Sequence, residues 1–535
     1  MPNLNLPPGV ELLPITRWEN RHENFKQRLV AGASFKLHNP DLANEAAQYR
    51  ATTQNLQWLI GHAQAHQLRL RAVGSGWSFS KVMVTEGGLV DTKSLRLSFR
   101  FGEPYIHPAF LAQGKSTSHL FFAQCGLTVM DLNVKLEQDS HPAQCLRASG
   151  NSNGQTIVGA FSTNTHGSAY EVGSVQDSIV GLHVVVGPAR HVWLERASCP
   201  IATPKLVEWL GAELIRDDEV FNAALVSFGS FGFIHGVMLE TEDRFLLEQQ
   251  RFRLAYTPAV EEALQRVAFG ELPLPHPVVA PGRRLYHLDV VLNPHSFEPG
   301  HPDKGIYVRT LYKVPYHPNY PRRPASQARF VYGDDTLGAI QTILDETPRI
   351  LNQFMVPRLV NQLFPVAFVS DETFSGTVGE VFSNTRFRGQ AASAAVGIRP
   401  QDLGQVLRLI LAANRQRPFA GALALRFVRA TEALLGFTCF APTCVLELDG
   451  VDSRRSRQFF EQVWHTLEQE GIPYTLHWGK LNYVLDRARV RAMYGPDKVG
   501  RWLAARNRLL DHATRQVFTS EFVDNCGLND GDLAV

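Results

Sequence analysis

Three glycine-rich turns, each joined to a strand, constrain this chain more than anything else in its 535 residues. The first, RAVGSGWSFS at 71–80, follows the alternating run Leu68, Leu70, Ala72. The second, SGNSNGQTIVGAFSTNTHGSA at 149–169, is dense in small and hydroxyl residues. The third, GSFGFIHG at 229–236, passes from glycines into a strand. Consecutive N–H groups in a Gly-Ser-Gly turn can form an anion-binding nest, because glycine lets the backbone approach a ligand closely. The first turn is not a dinucleotide fingerprint. Phe79 stands where G-x-G-x-x-G needs its third glycine, and KVMVTEGG is a poor helix. A Walker loop is excluded by the missing Gly-Lys-Ser/Thr. Gly150-Asn-Ser152-Asn-Gly154 has the form of a hydrolase nucleophile elbow, but such an elbow opens a helix, and QTIVGAFSTNT promises a poor one. Read alone, each segment is a turn, a close-packing device or a backbone cradle.

A chain this long is expected to split into more than one domain. Residues 43–66 carry Leu56, Leu59, Ile60 and Ala63 on one helical stripe. Strands are expected at 68–73, 119–126 and 179–187, and the segment 220–240 passes from helix through glycines into strand. Beyond 245 the pattern changes. Proline-rich connections at 272–284 and 315–326 flank strand candidates RLYHLDVVLN and IYVRTLYKV, and a long helical stretch, interrupted at Pro348 and Pro357, covers 337–364. GALALRFVRA (421–430) and CVLELDG (444–450) read as strands before a helix at 453–470. The expected class is α+β.

Composition excludes several functions. A net charge of +2 with 19% charged residues offers no electrostatic case for binding nucleic acid or an anionic membrane. The six cysteines form no C-x-x-C pair, so neither a zinc site nor a disulfide framework is expected, and reduced thiols fit. No metal site is expected. The N-terminus shows no signal-peptide pattern and no apolar run reaches the ~18 residues of a spanning helix, which leads to the expectation of a cytoplasmic protein.

The order of the motifs says more than any one of them. Gly-x-Gly-x-Ser after a strand, then Gly159-Ala160-x-Ser162-Thr163-x-Thr165-His166-Gly167, then G-x-x-G-x-I before a strand, resembles the FAD-binding domain of the vanillyl-alcohol oxidase superfamily over roughly 40–245. His477-Trp478-Gly479-Lys480 is similar to the H-W-x-K signature of its sugar-1,4-lactone oxidase and alditol oxidase branch, with flavin sterol oxidases as further kin. The resemblance implies a two-subdomain PCMH-type FAD-binding domain at 41–245, preceded by an extension at 1–40. An α+β substrate domain with a mixed or antiparallel sheet follows at 246–470, and a segment at 471–535 returns to the flavin site. It implies FAD held by Gly74, Ser75, Gly76, Trp77 and Ser78, by Gly150, Gln155, Thr156, Gly159, Ala160, Ser162, Thr163, Thr165, His166 and Gly167, by Gly232, Ile234 and Val237, and by His477 and Lys480. Many members carry a histidine at the position of Trp77 that bonds covalently to the flavin. Indole has no nucleophilic nitrogen fit for that bond, so non-covalent FAD is expected.

The same resemblance implies oxidation of a CH–OH group by hydride transfer to flavin N5, with Lys480 stabilising the reduced ring, His477 packing or hydrogen-bonding beside it and Arg426 orienting the substrate oxygen. O2 or another electron acceptor completes the cycle. The branch carries a Glu-x-Arg pair on its substrate strand. Here Arg426 is kept and the glutamate position is Ala424. His287 and Asp289, at spacing two on a strand, are candidate substitute bases, each with a structural alternative. The apolar runs ALALRFV and AASAAVG lead to the expectation of a lipophilic alcohol as substrate, since unmatched polar groups cost about 1–3 kcal/mol each. A sugar lactone or alditol is the alternative within the class. A non-catalytic flavin-binding protein and a serine hydrolase using Ser152 are the alternatives outside it.

Overall fold

Three sheets and one short hairpin organise the computed structural model, which describes residues 5–322, 358, 360–362, 373–383, 391–419 and 421–529. The helical stretch expected over 337–364 falls outside the described residues except at 358 and 360–362. The first sheet has the order Val10–Leu13, Ser34–His38, Gly88–Ser94, Leu70–Val73, so the N-terminal extension supplies half of its strands. Ser34–His38 and Leu70–Val73 both run parallel to Gly88–Ser94. Helix Glu45–Ala65 makes the crossover. The Asn44 side chain caps it by accepting from the Ala47 N–H, and the expected stripe of Leu56, Leu59, Ile60 and Ala63 is buried.

The second sheet is mixed, in the order Glu213–Arg216, His191–Glu195, Ile179–Val185, Phe233–Asp243, Leu120–Gln124, Ser98–Phe99. The third glycine segment opens its longest strand, Phe233–Asp243, and helix Asp218–Leu225 precedes that segment as the sequence suggests. Gly232 takes φ +110° there, and a Cβ on it would meet the Val185 carbonyl at 2.5 Å, so only glycine fits.

The third sheet is antiparallel in every described pairing, in the order Phe374–Gly376, Phe245–Leu254, Ile306–Pro315, Arg283–Leu292, Gly421–Val428, Thr443–Val451, Ala391–Ile398, Tyr474–Leu476. Helices Leu403–Gln416 and Arg454–Gln469 bury apolar faces, and Phe419 stacks on Phe459 beneath them at 4.4 Å. The architecture is therefore α+β, as expected.

Beyond Tyr474–Leu476 the chain returns to the first half of the molecule. Trp502 donates to the Val226 carbonyl at 3.2 Å and Arg506 to the Ser230 carbonyl at 2.8 Å. All six cysteines carry free thiols. No helix among the described residues is long and apolar enough to cross a membrane, and none of their His, Cys, Asp and Glu side chains form a metal-binding group of three.

Candidate functional site

The three glycine segments, far apart in sequence, touch one another. A Cβ on Gly74 would stand 2.2 Å from Thr156 Oγ1, one on Gly154 would stand 2.1 Å from the Trp77 ring, and one on Gly229 would stand 3.1 Å from Arg71 Nη1. The first segment is also tied to the C-terminal motif. Phe79 N–H donates to the Gly479 carbonyl at 2.8 Å and Ser80 Oγ to the Trp478 carbonyl at 2.5 Å. Between these segments runs one cleft. Gly74, Ser75, Gly76, Trp77 and Ser78 line it, with Gly150, Gln155, Thr156, Gly159, Ser162, Thr163, Thr165, His166, Gly232 and Ile234, and its far end is formed by Arg426, Glu447, Asp449, His477 and Lys480.

Most of the residues expected at a cofactor are thus brought together. Three are not. Ala160 packs inward from helix Ile157–Ser162 and Val237 sits fully buried in its sheet. Gly167 backs onto the Ser149 carbonyl and the His287 ring. The helix forms from the poor pattern QTIVGAFSTNT because burial of Ile157, Ala160 and Phe161 offsets the β-branched residues and the glycine. It starts five residues past Ser152, too late for a nucleophile elbow, and no histidine bonds to that serine among the described residues. Thr163 Oγ1 donates to the Gly159 carbonyl at 3.0 Å, leaving its lone pairs for a ligand.

The cleft suits an extended polar cofactor. Asn151 Nδ2, Gln155 Oε1 and Ser162 Oγ are buried without a protein partner, and all three residues line it. A buried polar atom left so costs about 1–3 kcal/mol, which a cofactor's hydroxyls and phosphates would recover. Arg71, from the strand that enters the first turn, adds a fully buried cation at the wall. It donates to the Phe228 carbonyl and, at 3.3 Å, to Ser520 Oγ, and burial lowers its pKa to about 10.

His22, from the tip of the hairpin Arg17–Glu19/Lys26–Arg28, also reaches the cleft, with no signal for it in the local pattern. Its Nε2 lies 3.0 Å from the Trp77 carbonyl and its ring stacks on Phe79 at 3.9 Å. Burial, with help from Lys480, lowers its pKa to about 3. His166 and His477 stand 5.4 Å apart, ring to ring. Burial first, with Arg426 and Lys480 adding and Glu447 opposing, lowers His166 to about 4, and burial with His166 and Lys480 beside it holds His477 well below the ordinary imidazole range. All three imidazoles are neutral at pH 7, so the cations facing the far end are Lys480 and Arg426.

Both cations meet carboxylates of the strand Thr443–Val451. Arg426 Nη2 lies 2.7 Å from Glu447 Oε2. Lys480 Nζ donates to Ser393 Oγ at 2.6 Å and stands 3.6 Å from Glu447 Oε1 and 3.9 Å from Asp449 Oδ1. Burial raises Glu447, but Arg426, Lys480 and His166 together outweigh it and keep the carboxyl below its ordinary pKa. His287 and Asp289 do not line the cleft. Asp289 Oδ2 is 2.8 Å from His287 Nε2 and accepts from Arg309 Nε at 2.9 Å, which fits their structural alternative.

The apolar run GALALRFV is not an apolar wall. Leu423, Leu425 and Phe427 point into the core, while Arg426 shares the opposite face with Ala424 and Ala422. Alternation puts the charged partners on the cleft side.

Comparison with known proteins agrees with this architecture. No protein-family model matches the chain. It is 22% identical to an L-gulono-1,4-lactone dehydrogenase of Mycobacterium tuberculosis over 454 residues, covering 84% of this chain and 89% of that protein. It is 29% identical to a D-arabinono-1,4-lactone oxidase of Saccharomyces cerevisiae over 177 residues, 33% of this chain and 28% of the relative. In fold it matches cholesterol oxidase from B. sterolicum with a TM-score of 0.68 at 13% identity, over 98% of both chains. The resemblance to sugar-1,4-lactone oxidases, with sterol oxidases as further kin, is borne out by these similarities, and the α+β fold with it.

Proposed function

We propose that this chain is an FAD-dependent oxidoreductase of CH–OH donors whose favoured substrate is a polar, hydroxylated ring such as a sugar-1,4-lactone. The observation that carries the reading is the charged end of the cleft, where Arg426, Glu447 and Lys480 meet within hydrogen-bonding or ion-pairing reach of one another. FAD supplies a two-electron acceptor when bound. The glycine segments would hold its pyrophosphate on backbone N–H groups, with Gln155 and Ser162 available to its polar edges. Lys480, fixed by Ser393, would present positive charge to the reduced cofactor, and such preorganised charge lowers a barrier. Arg426 orients the substrate oxygen. Trp77 leaves the cofactor without a covalent tether. Reoxidation uses O2 or a separate acceptor.

A lipophilic alcohol is the second reading, supported by the likeness of the whole fold to a cholesterol oxidase. The test is direct. Purified protein should show flavin absorption, and anaerobic L-gulono-1,4-lactone should bleach it. A colourless protein sinks the cofactor. A yellow protein that no lactone, alditol or sterol bleaches sinks the catalytic reading and leaves a flavin-binding protein.

A further inference from the structure

The carboxylate absent at position 424 has a replacement directly across the sheet. Ala424 pairs with Glu447 in the antiparallel register of Gly421–Val428 with Thr443–Val451. Residues directly opposite in such a ladder share a face, with Cβ atoms about 4.5–5.5 Å apart. A side chain as long as glutamate's spans that gap. On its other side Glu447 pairs with Ala395, so alanine flanks it on both neighbouring strands and leaves the carboxylate room. Its neighbour on the same face, Asp449, pairs with Ser393.

We propose that Glu447 accepts the proton of the substrate hydroxyl, taking from the neighbouring strand the place a glutamate at 424 would hold. The inference rests on the oxidoreductase reading above. In the step, the O–H bond breaks and its proton passes to the Glu447 carboxylate. The C–H bond breaks with its electron pair, which leaves as hydride to oxidised flavin, and the substrate carbon becomes a carbonyl. Arg426 holds the developing oxyanion while its other contact keeps Glu447 in place.

The other two carboxylates are held by further partners. Asp289 is clasped by Arg309 and His287, stands 3.6 Å from Arg426 Nε and does not line the cleft. Asp449 is held by Ser393 Oγ at 2.5 Å. Glu447 lines the cleft, is 2% exposed, and touches both cations. A carboxylate buried so deeply is costly unless paired, and its pairing here uses the two groups that face substrate and flavin.

The experiment compares wild type, Glu447→Gln, Glu447→Ala and the double variant Glu447→Ala/Ala424→Glu, loaded with flavin. Three readouts are taken: flavin content, the midpoint potential by dye equilibration, and anaerobic bleaching by L-gulono-1,4-lactone, xylitol and a 3β-hydroxysterol. Glu447→Gln should retain flavin. Its potential should rise, because Lys480 loses a compensating anion, and yet bleaching should slow about a hundredfold, the range of a lost general base. A rising driving force with a falling rate separates a lost proton acceptor from simple damage. The double variant should recover at least about tenfold over Glu447→Ala, as expected when a carboxylate is returned to the same face. Wild-type bleaching in Glu447→Gln overturns the proposal, and so does a double variant that recovers nothing. A flavin-loaded wild type bleached by none of the three compounds overturns the oxidoreductase reading itself, and the proposal with it.

Discussion

Trp77 and Gly154 share one volume: a Cβ on the glycine would stand 2.1 Å from the indole Cζ2. The two glycine segments therefore interlock through an aromatic ring and a bare backbone. Gly154→Ala should push the indole out of place and destabilise the fold by about 1–3 kcal/mol, measured as a lower urea midpoint. Flavin affinity should fall with it, because the displaced ring belongs to the turn that lines the cleft. A variant with unchanged midpoint and unchanged flavin content would show that the ring is not held there.

The same ring gives a prediction for how the cofactor is attached. Acid precipitation of the holoprotein should leave the yellow colour in the supernatant, since Trp77 presents an N–H donor and no nucleophile. His22, beside it, is committed to the Trp77 carbonyl and to stacking on Phe79. Flavin found in the pellet would refute the non-covalent reading.

Lys480 stands beside Glu447 and Asp449 at the far end of the cleft, and Ser393 is its anchor at 2.6 Å. Lys480→Met should lower the flavin midpoint potential and slow flavin reduction about 10²–10³-fold, the range for removing one electrostatic stabiliser. Ser393→Ala should act in the same direction with a smaller effect of about tenfold, the value of one hydrogen bond. Stopped-flow bleaching and dye-linked potentials read both. A lysine variant with an unchanged potential would remove Lys480 from the flavin.

Much of this was legible in the chain. The strand and helix assignments on either side of the cleft follow from local patterns that burial enforces, such as the stripe of Glu45–Ala65. The motif at 477–480 lies where the glycine segments also converge, with His477, Gly479 and Lys480 lining the cleft. The apolar run at 421–428 is buried on both sides and so looks uniformly apolar in sequence, although alternate residues face different surroundings. Glu447 escaped because register is set by tertiary pairing, which local pattern does not encode. A signal was present: in CVLELDG, Glu447 and Asp449 alternate with Leu446 and Leu448, placing two acids on one face of a buried strand. His22 had no such signal, since an exposed-looking N-terminal stretch reaches the cleft only through the hairpin's docking.

Acid should weaken the fold through its neutral imidazoles. His166 has a folded pKa of about 4 against an ordinary value of 6.5, lowered by burial. Between those values the unfolded chain binds the proton that the folded chain refuses. The stability His166 contributes is present in full above pH 6.5 and is lost as pH falls toward 4, about 3 kcal/mol in all. Glu137 works the other way, because burial raises it to about 7, and its contribution fades as pH rises from 4.5 through 7. Urea midpoints of wild type and His166→Gln across this window separate the two, since Gln keeps a donor for the Gly167 carbonyl and cannot titrate. The variant's curve should lack the acid loss assigned to His166. Parallel curves would reject it.

The hairpin that carries His22 joins the glycine turn to the third sheet through Asn24. Its Nδ2 donates to the Ala391 carbonyl and to Asp452 Oδ2, each at 2.7 Å. On the other side Arg21 N–H donates to the Gly76 carbonyl at 2.9 Å and Asn20 Nδ2 to the Ser78 carbonyl at 3.0 Å. The turn at 76–78 is thus anchored to a sheet that it does not otherwise adjoin in sequence. Asn24→Ala removes both side-chain bonds and leaves the Ala391 carbonyl without that donor, at a cost of about 1–3 kcal/mol. Because the loss falls on a local brace, it should appear first as local opening. Amide exchange should accelerate at Phe79, whose N–H donates to the Gly479 carbonyl at 2.8 Å, while amides in the Ile179–Val185 strand keep their protection. Flavin affinity should weaken in the same variant, as the turn that lines the cleft loosens. Uniform acceleration across both regions would mean that Asn24 supports the whole fold, and no acceleration would mean that the brace carries no strain-bearing role at the site.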